Sequence, residues 1–121
     1  MPNDIITQFG DRLEFSNFLK LNNGVIIVQF TASWCKPCKQ IKMYIEEKFS
    51  ICPNNIICCR LDIDENSDLY AFMKKNRQIN GVPSLVAYFK GNLTPYANIS
   101  ISGININSID YFFNECFKVV K

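Results

Sequence analysis

Thr31-Ala32-Ser33-Trp34-Cys35-Lys36-Pro37-Cys38-Lys39 is the stretch on which the reading of this chain turns. An apolar run, Val25-Ile26-Ile27-Val28, precedes it, and Ile41, Ile45 and Phe49 follow at helical spacing. The pattern predicts a strand, a tight turn and a helix that begins at Cys35. Backbone N–H groups left unpaired at a helix N-terminus, together with the helix dipole, stabilise an anion. A thiolate is such an anion, and it is the reactive form of cysteine. Pro37 falls in the first turn, where its missing N–H costs little. Two intervening residues let both sulfurs approach bonding distance while the backbone stays near helical. Zinc ligands use the same spacing, but a zinc site needs about four ligands. This chain has no histidine, and Cys52, Cys58, Cys59 and Cys116 are scattered over a loop, a strand and the last helix.

The chain of 121 residues fits one domain, and 48% hydrophobic residues supply a sizeable core. Net charge is +2 with acidic and basic residues interleaved, which argues against a nucleic-acid partner. Met1-Pro2-Asn3-Asp4 shows no basic region leading into an apolar run, so no secretion signal is read there. No apolar stretch approaches the roughly 20 residues that span a bilayer, so no membrane partner is expected. Reduced thiols in a cytoplasm are therefore the expectation. The abundance of isoleucine, asparagine and lysine fits an AT-rich genome, a large DNA virus included, for which the compartment is the host cytoplasm.

Outward from the cysteine turn, Asp4 to Phe9 reads as a short edge strand and Asp11 to Leu21 as a helix with Leu13, Phe18 and Leu19 inward. Asn22-Asn23-Gly24 closes that helix with a left-handed cap. Val25 to Phe30 and Ile56 to Ile63 read as buried strands, and a helix runs from about Cys35 to Phe49. A further helix starts at Asp64-Glu65-Asn66-Ser67, turns Leu69, Phe72 and Met73 inward, and breaks at Asn80-Gly81. Ser84 to Phe89 is a strand. Ile99 and Ile101 alternate in a half-buried antiparallel strand that Pro95 makes start late. Asn107 or Ser108 caps a last helix facing inward through Ile109, Phe112, Phe113, Cys116 and Val120. Cys58 and Cys59 are consecutive on a strand and face opposite ways; with Cys116 they read as small buried hydrophobes. Cys52 sits in a loop, a position open to exposure, and a regulatory or intermolecular disulfide there is the minority reading.

Trp34-Cys35-Lys36-Pro37-Cys38-Lys39, followed by Gly81-Val82-Pro83, resembles the thioredoxin family, and the likeness covers nearly the whole chain. It implies one α/β domain over residues 1–121 with the thioredoxin fold: a mixed central sheet of four to five strands flanked by four helices, in the order β-α-β-α-β-α-β-β-α. It implies a protein-disulfide reductase that needs no cofactor and no metal. Cys35 is the expected solvent-accessible nucleophile and Cys38 the residue that resolves the mixed disulfide. Trp34 is the expected lid beside them, and Pro83 the cis-proline facing the pair. A cis bond there turns the Val82 backbone toward Cys35 to pair with an extended substrate peptide. Gly81 and Gly103 flank this groove, small enough to let a partner backbone approach. Disulfide-bearing proteins are the implied substrates, and a thioredoxin reductase or another donor the implied source of electrons.

Three departures from the family pattern stand out. Lys36 replaces the usual glycine, and a cation beside the thiolate favours ionisation. Gln29 stands where many members carry a buried aspartate, and Arg60 matches the basic residue that accompanies it. Glutamine cannot accept a proton at neutral pH, which leaves the proton relay open while thiol exchange itself stands. Met43 replaces a helix-kinking proline, so a straighter helix is expected. The competing readings are a disulfide isomerase or oxidase, a glutathione-linked oxidoreductase, and a non-catalytic subunit of another complex.

Overall fold

The computed structural model describes residues 3–121. Met1 and Pro2, where the reading of no secretion signal begins, lie outside the described residues. The described residues form four strands, β1 (Val25–Thr31), β2 (Ile56–Asp62), β3 (Ser84–Phe89) and β4 (Ile99–Ser102), and four helices, in the order α-β-α-β-α-β-β-α. The helices are α1 (Arg12–Leu19), α2 (Lys36–Ser50), α3 (Ser67–Lys75) and α4 (Ile106–Val119). The sheet order is β2-β1-β3-β4, with β1 parallel to β2 and both other pairings antiparallel. This is the thioredoxin fold, with a mixed sheet covered on both faces.

Alternation along the strands sorts the core. Ile26, Val28 and Phe30 face one way, with Phe15, Leu19, Leu69 and Met73 from α1 and α3. Val25 and Ile27 face the other, with Ile41, Ile45 and Phe49 of α2 and Ile109, Phe112 and Phe113 of α4. A near-continuous apolar run is what a strand buried on both faces requires, and every residue of β1 before Thr31 is buried. Cys58 and Cys59 divide between the two faces, as consecutive strand residues must.

Several local expectations are corrected. The Asp4–Phe9 strand reduces to one parallel bridge, Ile6 to Cys59, in which Ile6 N–H donates to Cys58 O at 3.1 Å and Arg60 N–H to Ile6 O at 2.8 Å. The segment then leaves the edge because Phe9 is drawn into the core against Phe15 and Phe18. In α1, capped by the Asp11 side chain, Phe15 and Leu19 are the buried pair, and Leu13 points to solvent. The expected left-handed cap is absent, since Lys20 ends the helix in right-handed geometry. Gly24 is needed instead for close approach: a Cβ there would stand 2.2 Å from the Asn55 carbonyl oxygen. α3 ends at Lys75, five residues before the expected break, with Arg77 at φ 59°. Phe72 is only half-buried. Asn105, rather than Asn107 or Ser108, caps α4 by accepting from Ser108 N–H at 3.0 Å. Cys52 is 2% exposed, because it tucks under the end of α2 into the core shared with Cys58 and Cys116.

Candidate active site

The end of β1 delivers Cys35 to the N-cap of α2, in extended geometry with φ −87°. Its sulfur accepts the Cys38 N–H at 3.2 Å. Lys36 and Pro37 open the helix, and the proline sits where no intrahelical donor is lost. Cys35 and Cys38 are joined as a disulfide across a Cα–Cα separation of 5.2 Å. α2 then runs unbroken to Ser50 through the exposed Met43.

Cys35 is 4% exposed in this oxidised state, in contrast to the solvent-accessible nucleophile expected. Its sulfur is bonded to Cys38, lies 4.0 Å from the Val82 carbonyl oxygen and packs with the core residues near Ala32. Trp34 is 63% exposed beside it, and its indole N–H donates to Asp64 Oδ2 at 2.9 Å. Asp64, which the sequence places only at a helix start, is instead a partner of the site. It lies 30 residues from Trp34 and only tertiary structure joins them.

The Val82–Pro83 peptide is cis, and the loop carrying it lies against the cysteine pair. Gly81 and Gly103 have φ of +141° and +94°, and an added Cβ would meet nothing within 4 Å at either. The positive φ at each position is by itself a reason for glycine there. Gly103 N–H donates to Pro83 O at 3.0 Å, while Ser84 Oγ donates to Gly81 O at 2.6 Å and meets Ser102 Oγ at 2.9 Å. These two serines pin the loop, and no motif marks them. Gly103, Pro83 and Gln29 border one narrow packing gap with no room for a water molecule, and Gly81 lies outside it.

Behind the pair, Gln29 is 3% exposed and stands in register with Arg60 across β1 and β2. Arg60 Nε donates to Gln29 Oε1 at 3.3 Å. Both line a cavity of about 400 Å³ that reaches Cys38. Lys36 is exposed at the helix start. The structure thus gathers Cys35, Cys38 and the Val82–Pro83 loop, with Trp34 exposed beside them, and places Gln29 and Arg60 behind, in the cavity that reaches Cys38. The arrangement supports electron transfer by thiol exchange: two sulfurs bond at a helix N-terminus whose N–H groups favour a thiolate.

The thioredoxin family profile matches residues 7–109. Thioredoxin-2 of Saccharomyces cerevisiae is 31% identical over 87 residues, covering 72% of this chain and 79% of the relative. Thioredoxin of Oryctolagus cuniculus is 29% identical over 115 residues, covering 92% and 98%. Among solved structures, oxidised mitochondrial thioredoxin 3 of Saccharomyces cerevisiae superposes with a TM-score of 0.70 at 23% identity, covering 91% of this chain and 94% of that one. That last likeness speaks for the fold.

Proposed function

The chain belongs to the thioredoxin family, and from that premise we propose a general protein-disulfide reductase of a cytoplasm, recharged by a flavoenzyme reductase in an electron-transport chain. That it is a thiol–disulfide oxidoreductase follows from the family and from the Cys35–Cys38 pair. The observation that carries the reading is that disulfide at the N-cap of α2, with the Cys38 N–H on the Cys35 sulfur.

The chemistry runs in two exchanges. The Cys35 thiolate attacks a disulfide sulfur of the partner, forming a mixed disulfide and expelling the partner's other sulfur as thiolate. Cys38, one turn along α2, then attacks Cys35. The Cys35–Cys38 bond forms, the mixed disulfide breaks, and the partner leaves with two electrons more than it brought. The Val82 backbone beside Cys35 is suited to hold an extended peptide during the first exchange. Trp34, held by Asp64, covers the flank. The pair ends oxidised, so each turnover requires a donor to return two electrons.

The test is insulin disulfide reduction with one of two donors, a thioredoxin reductase with NADPH or glutathione with its reductase. Turnover supported by the thioredoxin reductase and not by glutathione is expected. Turnover with glutathione alone overturns the donor assignment in favour of a glutathione-linked enzyme. Full function retained by a Cys35→Ser, Cys38→Ser double variant makes the chain a non-catalytic subunit.

A further inference from the structure

Where α3 gives way to the cis-proline loop, the backbone puts a cation at a position that suits glycine. Asn76 caps the helix, Arg77 N–H donates to Lys74 O at 3.1 Å and Gln78 N–H donates to Met73 O at 2.9 Å. That pair of bonds is the Schellman closure, whose left-handed residue is usually glycine. Here it is Arg77, at φ 59°. An L side chain is disfavoured in that conformation, so the turn by itself does not call for arginine. Gln78 locks the turn to the segment that leads into β4. Its Oε1 accepts Ala97 N–H at 2.7 Å, and its carbonyl accepts from Ser100 Oγ at 2.6 Å.

Arg77 opens on a cavity of about 510 Å³, walled also by Lys74, Gln78, Asn80, Ser100 and Ser102. Among the described residues, two cations and no carboxylate line it, and neither cation has a carboxylate in ion-pair range. Lys74 Nζ stands 5.9 Å from the centroid of the Tyr70 ring, an uncharged partner. The helix dipole accounts for Lys74, in the last turn of α3, but Arg77 lies beyond the cap. The cavity adjoins the loop suited to hold a substrate peptide. Asn80 stands two residues before Val82, whose carbonyl oxygen is 4.0 Å from Cys35 Sγ. Ser102 touches Ser84, which in turn holds the Gly81 carbonyl. An extended peptide along Val82 has this cavity beside one of its ends.

We infer that Arg77 and Lys74 select protein substrates whose disulfide is flanked on one side by acidic residues. The carboxylates of such a segment supply the anions that both cations lack, and the Asn80 amide adds a neutral donor. The inference rests on the disulfide-reductase reading above and adds the charge of its substrates.

The experiment uses peptides that carry a single cysteine as its 2-pyridyl disulfide, with glutamates before it, glutamates after it, or glutamines on both sides. The Cys35 thiolate of reduced protein attacks the peptide sulfur and the S–S bond breaks. Pyridine-2-thione leaves with the electron pair of that bond and a proton from solvent, and its absorbance gives the rate constant. The readout is the ratio of glutamate to glutamine rates within each protein. Exposed ion pairs contribute little each, so the parent favours glutamates on one side by about fivefold at low salt. The preference fades toward about 1 M salt, where screening is nearly complete. The double variant Lys74→Gln, Arg77→Gly loses it. Glycine suits φ 59°, so Arg77→Gly removes the charge and melts no lower than the parent. A parent that does not discriminate, or a preference kept in the double variant, overturns the proposal. So does an equal preference for glutamates on either side, which the net charge of +2 alone would produce. A parent that reacts with none of the peptides overturns the reductase reading and the proposal with it.

Discussion

Cys35 and Cys38 lie at the start of α2, and Cys52 lies just past its end, beside Cys58 of β2 and Cys116 of α4. All five are buried. Burial therefore does not separate the reactive sulfurs from the others. The backbone does. At the N-terminal end a peptide N–H points at the sulfur of Cys35. At the C-terminal end the Cys52 thiol gives its own hydrogen to the Lys48 carbonyl at 3.4 Å. The helix dipole has opposite sign at the two ends, so one end stabilises a thiolate and the other a thiol. The hydrogen bond that the Cys52 sulfur accepts from the Cys58 thiol eases Cys52 down against that trend, and the same bond, with burial added, raises Cys58. Burial also raises Cys59, and it pushes Cys116 up to about 12. One helix thus carries redox sulfur at its head and structural sulfur at its foot.

The largest effect that can break this contrast is Cys35→Ser. At pH 7 a thiol titrating near about 12 is ionised to roughly one part in 10⁵, so Cys116 cannot substitute. Insulin reduction should fall by at least about 10³-fold; a smaller fall would mean that sulfurs at the foot of α2 also react. An intermediate effect comes from pH. The Cys116 pKa is raised by folding, so its contribution to stability is complete below the ordinary thiol value of about 9. That contribution is lost as pH rises toward about 12. Urea unfolding should therefore weaken across that window by up to about 1.4 kcal/mol per pH unit for each such thiol. Cys116→Ala should flatten the slope, and an unchanged slope would deny the foot its apolar character. The smallest effect sharpens the head. Lys36→Gly should raise the Cys35 alkylation midpoint by a few tenths of a unit, because an exposed charge contributes little. Identical midpoints would leave the helix terminus as the whole cause.

What the sequence made legible was whatever repeats or clusters locally. The run Val25 to Phe30, the spacing of Ile41, Ile45 and Phe49, and the two cysteines beside Pro37 each state their structure within a few residues. What stayed illegible was long-range pairing. Asp64 holds Trp34, Ser84 meets Ser102, and Asn66 serves Phe9 N–H and Thr7 O instead of capping α3. No local pattern announces these bonds, because a short polar side chain has equally good partners nearby. The burial of Cys35 and Cys52 is absent from the local sequence for a related reason. A loop or turn position says where the backbone runs, while burial depends on which distant element closes over it.

Ile6 touches β2 at a single point, yet it uses both its N–H and its C=O there, one on each side of Cys59. β2 is an outer strand of the sheet, and such a row of unsatisfied amides and carbonyls is a template on which other chains add and fibrils grow. The short N-terminal strap works as a guard against self-association. It also fixes the main chain of Arg60, in the wall of the cavity that reaches Cys38, so trimming a few residues from that end would disturb solubility and that wall together.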